Sequence, residues 1–224
     1  MATTPIFAWR YQALSDPPNG AALGENGFLD AEATVAALSA TVTAADSSLD
    51  TRVDALEAAV YRAVQTLAAP ATTVTFTGIP STLRRLTLSW TARSSVAAVA
   101  ANLRMRVNND SSSVYSSNFT QQNNVTNTPL INPAVAFWQV GVVAGASAAA
   151  NNFGSGEVII PGWNGLHPNL NQQHRNHFYE STVSSWYQAG GGLYFAAGPY
   201  TRLDIFCDTG DLVANSEFLV TGIV

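Results

Sequence analysis

Between Val35 and Leu67 the apolar residues recur at a helical interval: Val35, Leu38, Val42, Ala45 and Leu49, then Val53, Leu56, Val60, Val64 and Leu67. The alternation of three and four is that of a coiled-coil seam, with one extra residue between Leu49 and Val53 that reads as a stutter. Asp30 is placed to cap the start, Glu32 falls in the first turn, and Pro70 stops the run. The pattern predicts a helix over 30–69. Such a helix, roughly 37 residues and about 55 Å long, cannot bury its stripe against itself, so it predicts other copies of the chain. Its middle, Thr41 to Ser48, is rich in β-branched and small polar residues. Ser47 with Asp50 resembles a second N-cap, so the helix either breaks there or runs on through the stutter. With Val53 and Leu56 as core positions, Arg52 and Glu57 fall where an interchain pair forms in a parallel bundle.

From Pro70 onward the pattern changes to short, β-rich or alternating runs. They are Thr73–Thr77, Leu83–Ala92, Leu103–Val107, Phe137–Val143, Gly156–Ile160, His177–Ser184, Leu193–Ala197, Leu203–Cys207 and Glu217–Ile223. Turn clusters such as Asn108-Asn109-Asp110 and Asp208-Thr209-Gly210 separate them. Runs of that length and spacing predict a mainly β protein whose C-terminal domain, 70–224, is an antiparallel β-sandwich, jelly-roll-like. Ser111–Pro133 and Gly162–Asn176, rich in Asn, Gln and Ser, read as long loops. Residues 1–29 fit neither period. Ile6, Phe7, Trp9, Tyr11 and Leu14 precede Pro17-Pro18-Asn19-Gly20, which makes an extended segment too aromatic for disorder and too short for a core. It is expected to dock on a larger partner through Ile6, Phe7, Trp9, Tyr11, Leu14, Pro17 and Pro18.

Composition narrows the chemistry. Only 11% of the 224 residues are charged while 47% are hydrophobic, a surface suited to subunits that cover one another. The net charge of −5 opposes binding to nucleic acid, which wants a basic face. All ten basic residues are arginine, so lysine-dependent chemistry is excluded. Cys207 is the single cysteine; it cannot form an intrachain disulfide and reads as an inert thiol. No apolar run is long enough for a membrane span, and no cofactor motif is present.

Candidate sites are few. His167, His174 and His177 match no standard zinc spacing, and no metal is expected. No nucleophile elbow occurs, and the acidic residues of the domain are not paired as a glycosidase requires, so catalytic residues are expected to be absent. Flat rings and amides are better placed for a sugar surface: Trp163, His167, His174, His177, Trp186 and Tyr187 form the candidate receptor contact, with Trp163, between Gly162 and Asn164, the one expected to be exposed. Core packing is the competing role for these aromatics.

Two stretches carry a family resemblance. Ile6-Phe7-Ala8-Trp9-Arg10-Tyr11-Gln12-Ala13-Leu14-Ser15-Asp16-Pro17-Pro18-Asn19-Gly20, followed by Glu32-Ala33-Thr34-Val35, resembles the N-termini of virion proteins from tailed phages of actinobacteria; Gln12 stands where that pattern has Pro. Gly154-Ser155-Gly156-Glu157-Val158-Ile159-Ile160-Pro161-Gly162-Trp163, with Phe178-Tyr179-Glu180-Ser181-Thr182 and Gly198 to Phe206, is similar to the β-domain of phage fibre and minor tail proteins. Phe76-Thr77-Gly78-Ile79-Pro80 belongs to the same likeness. The resemblance implies a homotrimer on the virion surface, made in the host cytoplasm. Its N-terminus would face the virion and its β head the host, with no membrane insertion and no catalytic residues to carry over. Tail attachment is the first reading and capsid attachment, as a head fibre or decoration protein, the second. A glycan-binding receptor module is a third. The seam alone does not choose between trimer and dimer.

Overall fold

The structure is a computed structural model that describes residues 20–58, 60–124, 126–181 and 184–224. The docking residues expected in the opening segment, Ile6, Phe7, Trp9, Tyr11, Leu14, Pro17 and Pro18, lie outside the described residues. The described chain divides into two units between Asp54 and Ala55.

The helix, α1 (Gly20–Ala58), is 39 residues long. It starts well before Asp30, which is therefore not its cap; Ala21, Ala22, Leu23 and Glu25 are strong helix formers that offset Gly24 among them. It also runs unbroken through Ser47–Asp50. The β-branched and hydroxyl side chains of that stretch turn back on the helix: Thr41, Thr43 and Thr51 donate to the carbonyls of Ala37, Ser39 and Ser47 at 2.9, 3.0 and 2.9 Å. Every residue from 31 to 54 is exposed. On the seam, Val35, Leu38, Val42, Leu49 and Val53 keep 66, 63, 52, 53 and 49% of their surface in solvent. No described helix is long and apolar enough to cross a membrane.

The helix stops at Ala58, not at Pro70, and strand β1 (Val60–Thr66) follows. Val60 and Val64 are thus not seam positions, and Leu67 lies just beyond the strand. The reason is a degeneracy of spacing: residues four apart share one side of a strand as well as of a helix. Here Val60, Arg62, Val64 and Thr66 point one way while Tyr61, Ala63 and Gln65 point to the half-buried side. Leu67 packs at the edge of the core.

The remaining strands are β2 (Val74–Phe76), β3 (Arg85–Ala92), β4 (Ala100–Val107), β5 (Tyr115–Asn123), β6 (Thr126–Val135), β7 (Trp138–Ala144), β8 (Gly154–Pro161), β9 (Leu170–Ser181), β10 (Ser184–Tyr194), β11 (Leu203–Cys207) and β12 (Glu217–Ile223). They form an eight-stranded antiparallel sheet in the order β1-β12-β3-β8-β9-β10-β5-β6 and a four-stranded one in the order β2-β11-β4-β7. Strict alternation puts Leu86, Leu88 and Trp90 of the first sheet and Leu103, Met105, Val107, Leu203 and Ile205 of the second into one buried cluster. The protein is mainly β, with antiparallel sheets consistent with a β-sandwich. Trp138 on β7 crosses between the sheets, its indole N–H donating to the Leu193 carbonyl at 3.0 Å. Cys207 is buried, and burial pushes its thiol up to about 12.

Both expected loops contain strands. Ser111–Pro133 holds β5 and most of β6, and Gly162–Asn176 runs into β9. Their inward side chains are polar, which hides the alternation from a hydropathy reading: Ser117, Gln172, His174 and Asn176 are all buried. Each has at least one local hydrogen-bond partner, while Gln172 Nε2, His174 Nε2 and Asn176 Oδ1 are buried without one. The Gln139 amide N–H donates to Ser117 Oγ at 3.0 Å, Asn176 Nδ2 donates to the Val142 carbonyl at 2.7 Å, and His174 Nδ1 lies 3.1 Å from Gln172 Oε1.

Candidate functional site

The outer face of the eight-stranded sheet carries the one group of expected contact residues that the fold brings together. In β10, Gly190 and Gly192 face inward: a Cβ at either would sit 2.3 Å from a neighbour, Phe119 Cβ or the Ser116 carbonyl oxygen. The alternate positions Tyr187, Ala189 and Gly191 therefore face out. The same alternation turns Ser155, Glu157 and Ile159 of β8 outward, with Gln173, Arg175, His177 and Tyr179 of β9 and Asn118, Thr120 and Gln122 of β5. The registers align these in rows across four strands. Ser155, His177, Tyr187 and Gln122 form one, Glu157, Arg175, Ala189 and Thr120 the next, and Ile159, Gln173, Gly191 and Asn118 the third.

Because Ala189 and Gly191 are the smallest residues on this face, a furrow follows β10. Two adjoining recesses of about 410 and 440 Å³ share Glu157, Arg175 and Tyr187. A third, about 500 Å³, continues past Gln173 over Gly191 between Asn118 and Leu193. From Tyr187 to Leu193 the furrow is about 20 Å long at strand rise. At one end flat rings gather: Tyr187 and Tyr179 are 41 and 60% exposed, and His177 meets the Tyr179 ring edge-on at 4.6 Å. In the middle, Arg175 Nε donates to Glu157 Oε1 at 2.6 Å. That pair neutralises the charges of the walls; as a surface pair it adds only about 0–1 kcal/mol of stability.

The six residues expected to form a receptor contact are thus dispersed. His177 and Tyr187 face each other across β9 and β10 in the furrow. Trp163 is fully buried rather than exposed. Gly162, at φ 73°, reverses the chain so that the indole enters the core and packs on Tyr200 at 5.7 Å. His174 is inward, and burial lowers its pKa to about 4. Trp186 is also inward, stacked on Phe178 at 6.0 Å with its N–H on Glu180 Oε2 at 3.1 Å. His167 is exposed in a separate recess beside Asn164 and Leu166. The three histidines share no face, and among the described residues no three His, Cys, Asp or Glu side chains converge as metal ligands. The contacts missed from sequence are Tyr179, Arg175, Gln173 and Glu157. Extending the alternation of His177 backward by two and forward by two would have found the first two.

No protein-family model matches the chain, and no curated protein sequence matches it. Among solved structures it is similar to the C-terminal CBM6 of LamC, a marine laminarinase from Zobellia galactanivorans, at 10% identity over 71% of this chain and 90% of that one, with a TM-score of 0.19. It is also similar to the CBM40 of the Ruminococcus gnavus IT-sialidase, at 8% identity over 64% and 90%, with a TM-score of 0.21. Infectious bursal disease virus, Gt strain, matches at 12% identity over 74% and 40%, with a TM-score of 0.15. Scores of this size carry no argument about function.

Proposed function

We propose that the chain is the subunit of a trimeric attachment fibre of a tailed phage, in which α1 associates as a parallel coiled coil and the jelly-roll-like β body is the head that adheres to the host surface. The observation that carries this reading is the seam of Val35, Leu38, Val42, Leu49 and Val53, half to two-thirds exposed along a helix of 39 residues. Apolar surface in that register is covered at low cost by the same surface of sister chains. The resemblance of the opening segment supports docking of residues 1–29 on other virion proteins, on the tail by first preference and on the capsid by second. The outer-face furrow, with His177 and Tyr187, supports adhesion to surface carbohydrate. Turnover is not proposed: among the described residues Glu157 is the single carboxylate in the furrow walls, and glycoside hydrolysis takes two. Light scattering on the purified chain at micromolar concentration is expected to give three times the 23.6 kDa chain mass. A twofold mass would replace the trimer by a dimer; a single chain would overturn the reading.

A further inference from the structure

We infer that the furrow along β10 takes a neutral glycan chain, lying over Ala189 and Gly191 with a sugar ring flat against Tyr187. The inference rests on the proposed adhesive role of the head and specifies its ligand. The first argument is charge. Among the described residues Arg175 is the one cation in the furrow walls, and its Nε is held by Glu157 Oε1 at 2.6 Å. An anionic sugar would have to displace that carboxylate or lie beside it, so the pair discriminates against sialylated, sulfated and uronic acid chains.

The second argument is the chemistry of the walls. Gln173 and Asn118 offer amides that donate and accept, Ser155 adds a hydroxyl, and His177 an imidazole. Sugar hydroxyls likewise donate and accept, and neutral groups meet them without paying for a buried charge. Third is shape. The floor is low because Ala189 and Gly191 present almost no side chain, and the inner side of β10 is closely packed at Gly190 and Gly192. An exposed tyrosine at one end supplies a ring face for the C–H side of a pyranose. A floor of that form, about 20 Å long, suits an extended chain and not a single sugar.

The test is a glycan array probed with the full chain, carrying neutral oligohexosides beside sialylated, sulfated and uronic acid oligosaccharides. Multivalent display raises a weak single-site affinity to a readable level. Binding is expected to neutral chains alone and to be insensitive to added salt. Tyr187→Ala and Ala189→Gln, both on the outer face, are each expected to weaken it at least tenfold with the thermal unfolding midpoint unchanged. Binding to anionic chains that falls steeply with salt would overturn the inference, as would neutral binding that neither variant weakens; the adhesive reading would survive both results. Absence of binding to every glycan, neutral and anionic, would overturn the inference together with that reading.

Discussion

His174 is a titratable ring placed where a charge has no solvent. It is 4% exposed, beside Gln172 and with its ring 6.1 Å from that of Phe119, and burial holds its pKa near 4. An unfolded histidine titrates near 6.5. The native state therefore binds fewer protons than the unfolded state between those values, and stability falls as pH drops from about 6.5 toward 4, levelling off below. The full difference corresponds to about 3 kcal/mol. Urea unfolding at pH 7 and pH 4 is expected to show that loss in the native chain and to lack it in His174→Gln; equal losses in both would place the acid sensitivity elsewhere. Nothing in the spacing of the three histidines marked this one as interior. Its strand alternates polar with polar, so residue type alone did not separate inward His174 from outward His177. Trp163 failed for a related reason: a turn glycine and its neighbours looked like an exposed loop, but the positive φ of Gly162 sends the side chain inward.

At the level of elements, β9 and β10 hold the candidate site and are the strands that hydropathy reads worst. β11 and β12 were legible end to end because Leu203, Ile205, Phe218 and Val220 alternate against the core. β5, most of β6 and the first part of β9, residues 170–176, were taken for loops; in β5 and β9 the inner faces carry Ser117, Gln172, His174 and Asn176, which masks the alternation. β1 was taken for helix because Val60 and Val64 satisfy both periods. In β10 three successive glycines, Gly190 to Gly192, lie within the strand. Gly192 lies against the Ser116 carbonyl at 2.3 Å and Trp138 Cδ1 at 2.8 Å from where a Cβ would stand. Backbone and a buried indole cannot yield cheaply. Gly192→Ala is expected to destabilise the β body by about 1–3 kcal/mol, read as a lower thermal midpoint, with Ala189→Gly on the outer face close to neutral. A Gly192→Ala protein as stable as the parent would show that β10 is not packed as described.

At the scale of the whole molecule, the proposed assembly divides labour between an exposed seam and a self-contained body with its own core. The pair Leu38→Asp and Val42→Asp is expected to reduce the mass in solution to that of one chain without changing the thermal unfolding of the β body, since adjacent carboxylates in a bundle core repel. Val60→Asp, on the outer side of β1, is expected to leave the mass unchanged. If the seam variant stays associated, the contacts between copies lie in the bodies. The apolar stripe of the helix was readable from spacing, and the end of the helix was not, because a helix and a strand agree on every fourth residue.

The junction between Ala58 and Val60 has a mechanical consequence. One residue separates the end of the helix from a strand at the margin of the sheet, joined on one side alone, to β12, through seven registered pairs from Val60↔Ile223 to Thr66↔Glu217. Any pull transmitted along the helix enters the globular part through that ladder before reaching the deeper strands. In the proposed fibre, drag on the head would load the pairing of β1 with β12 first.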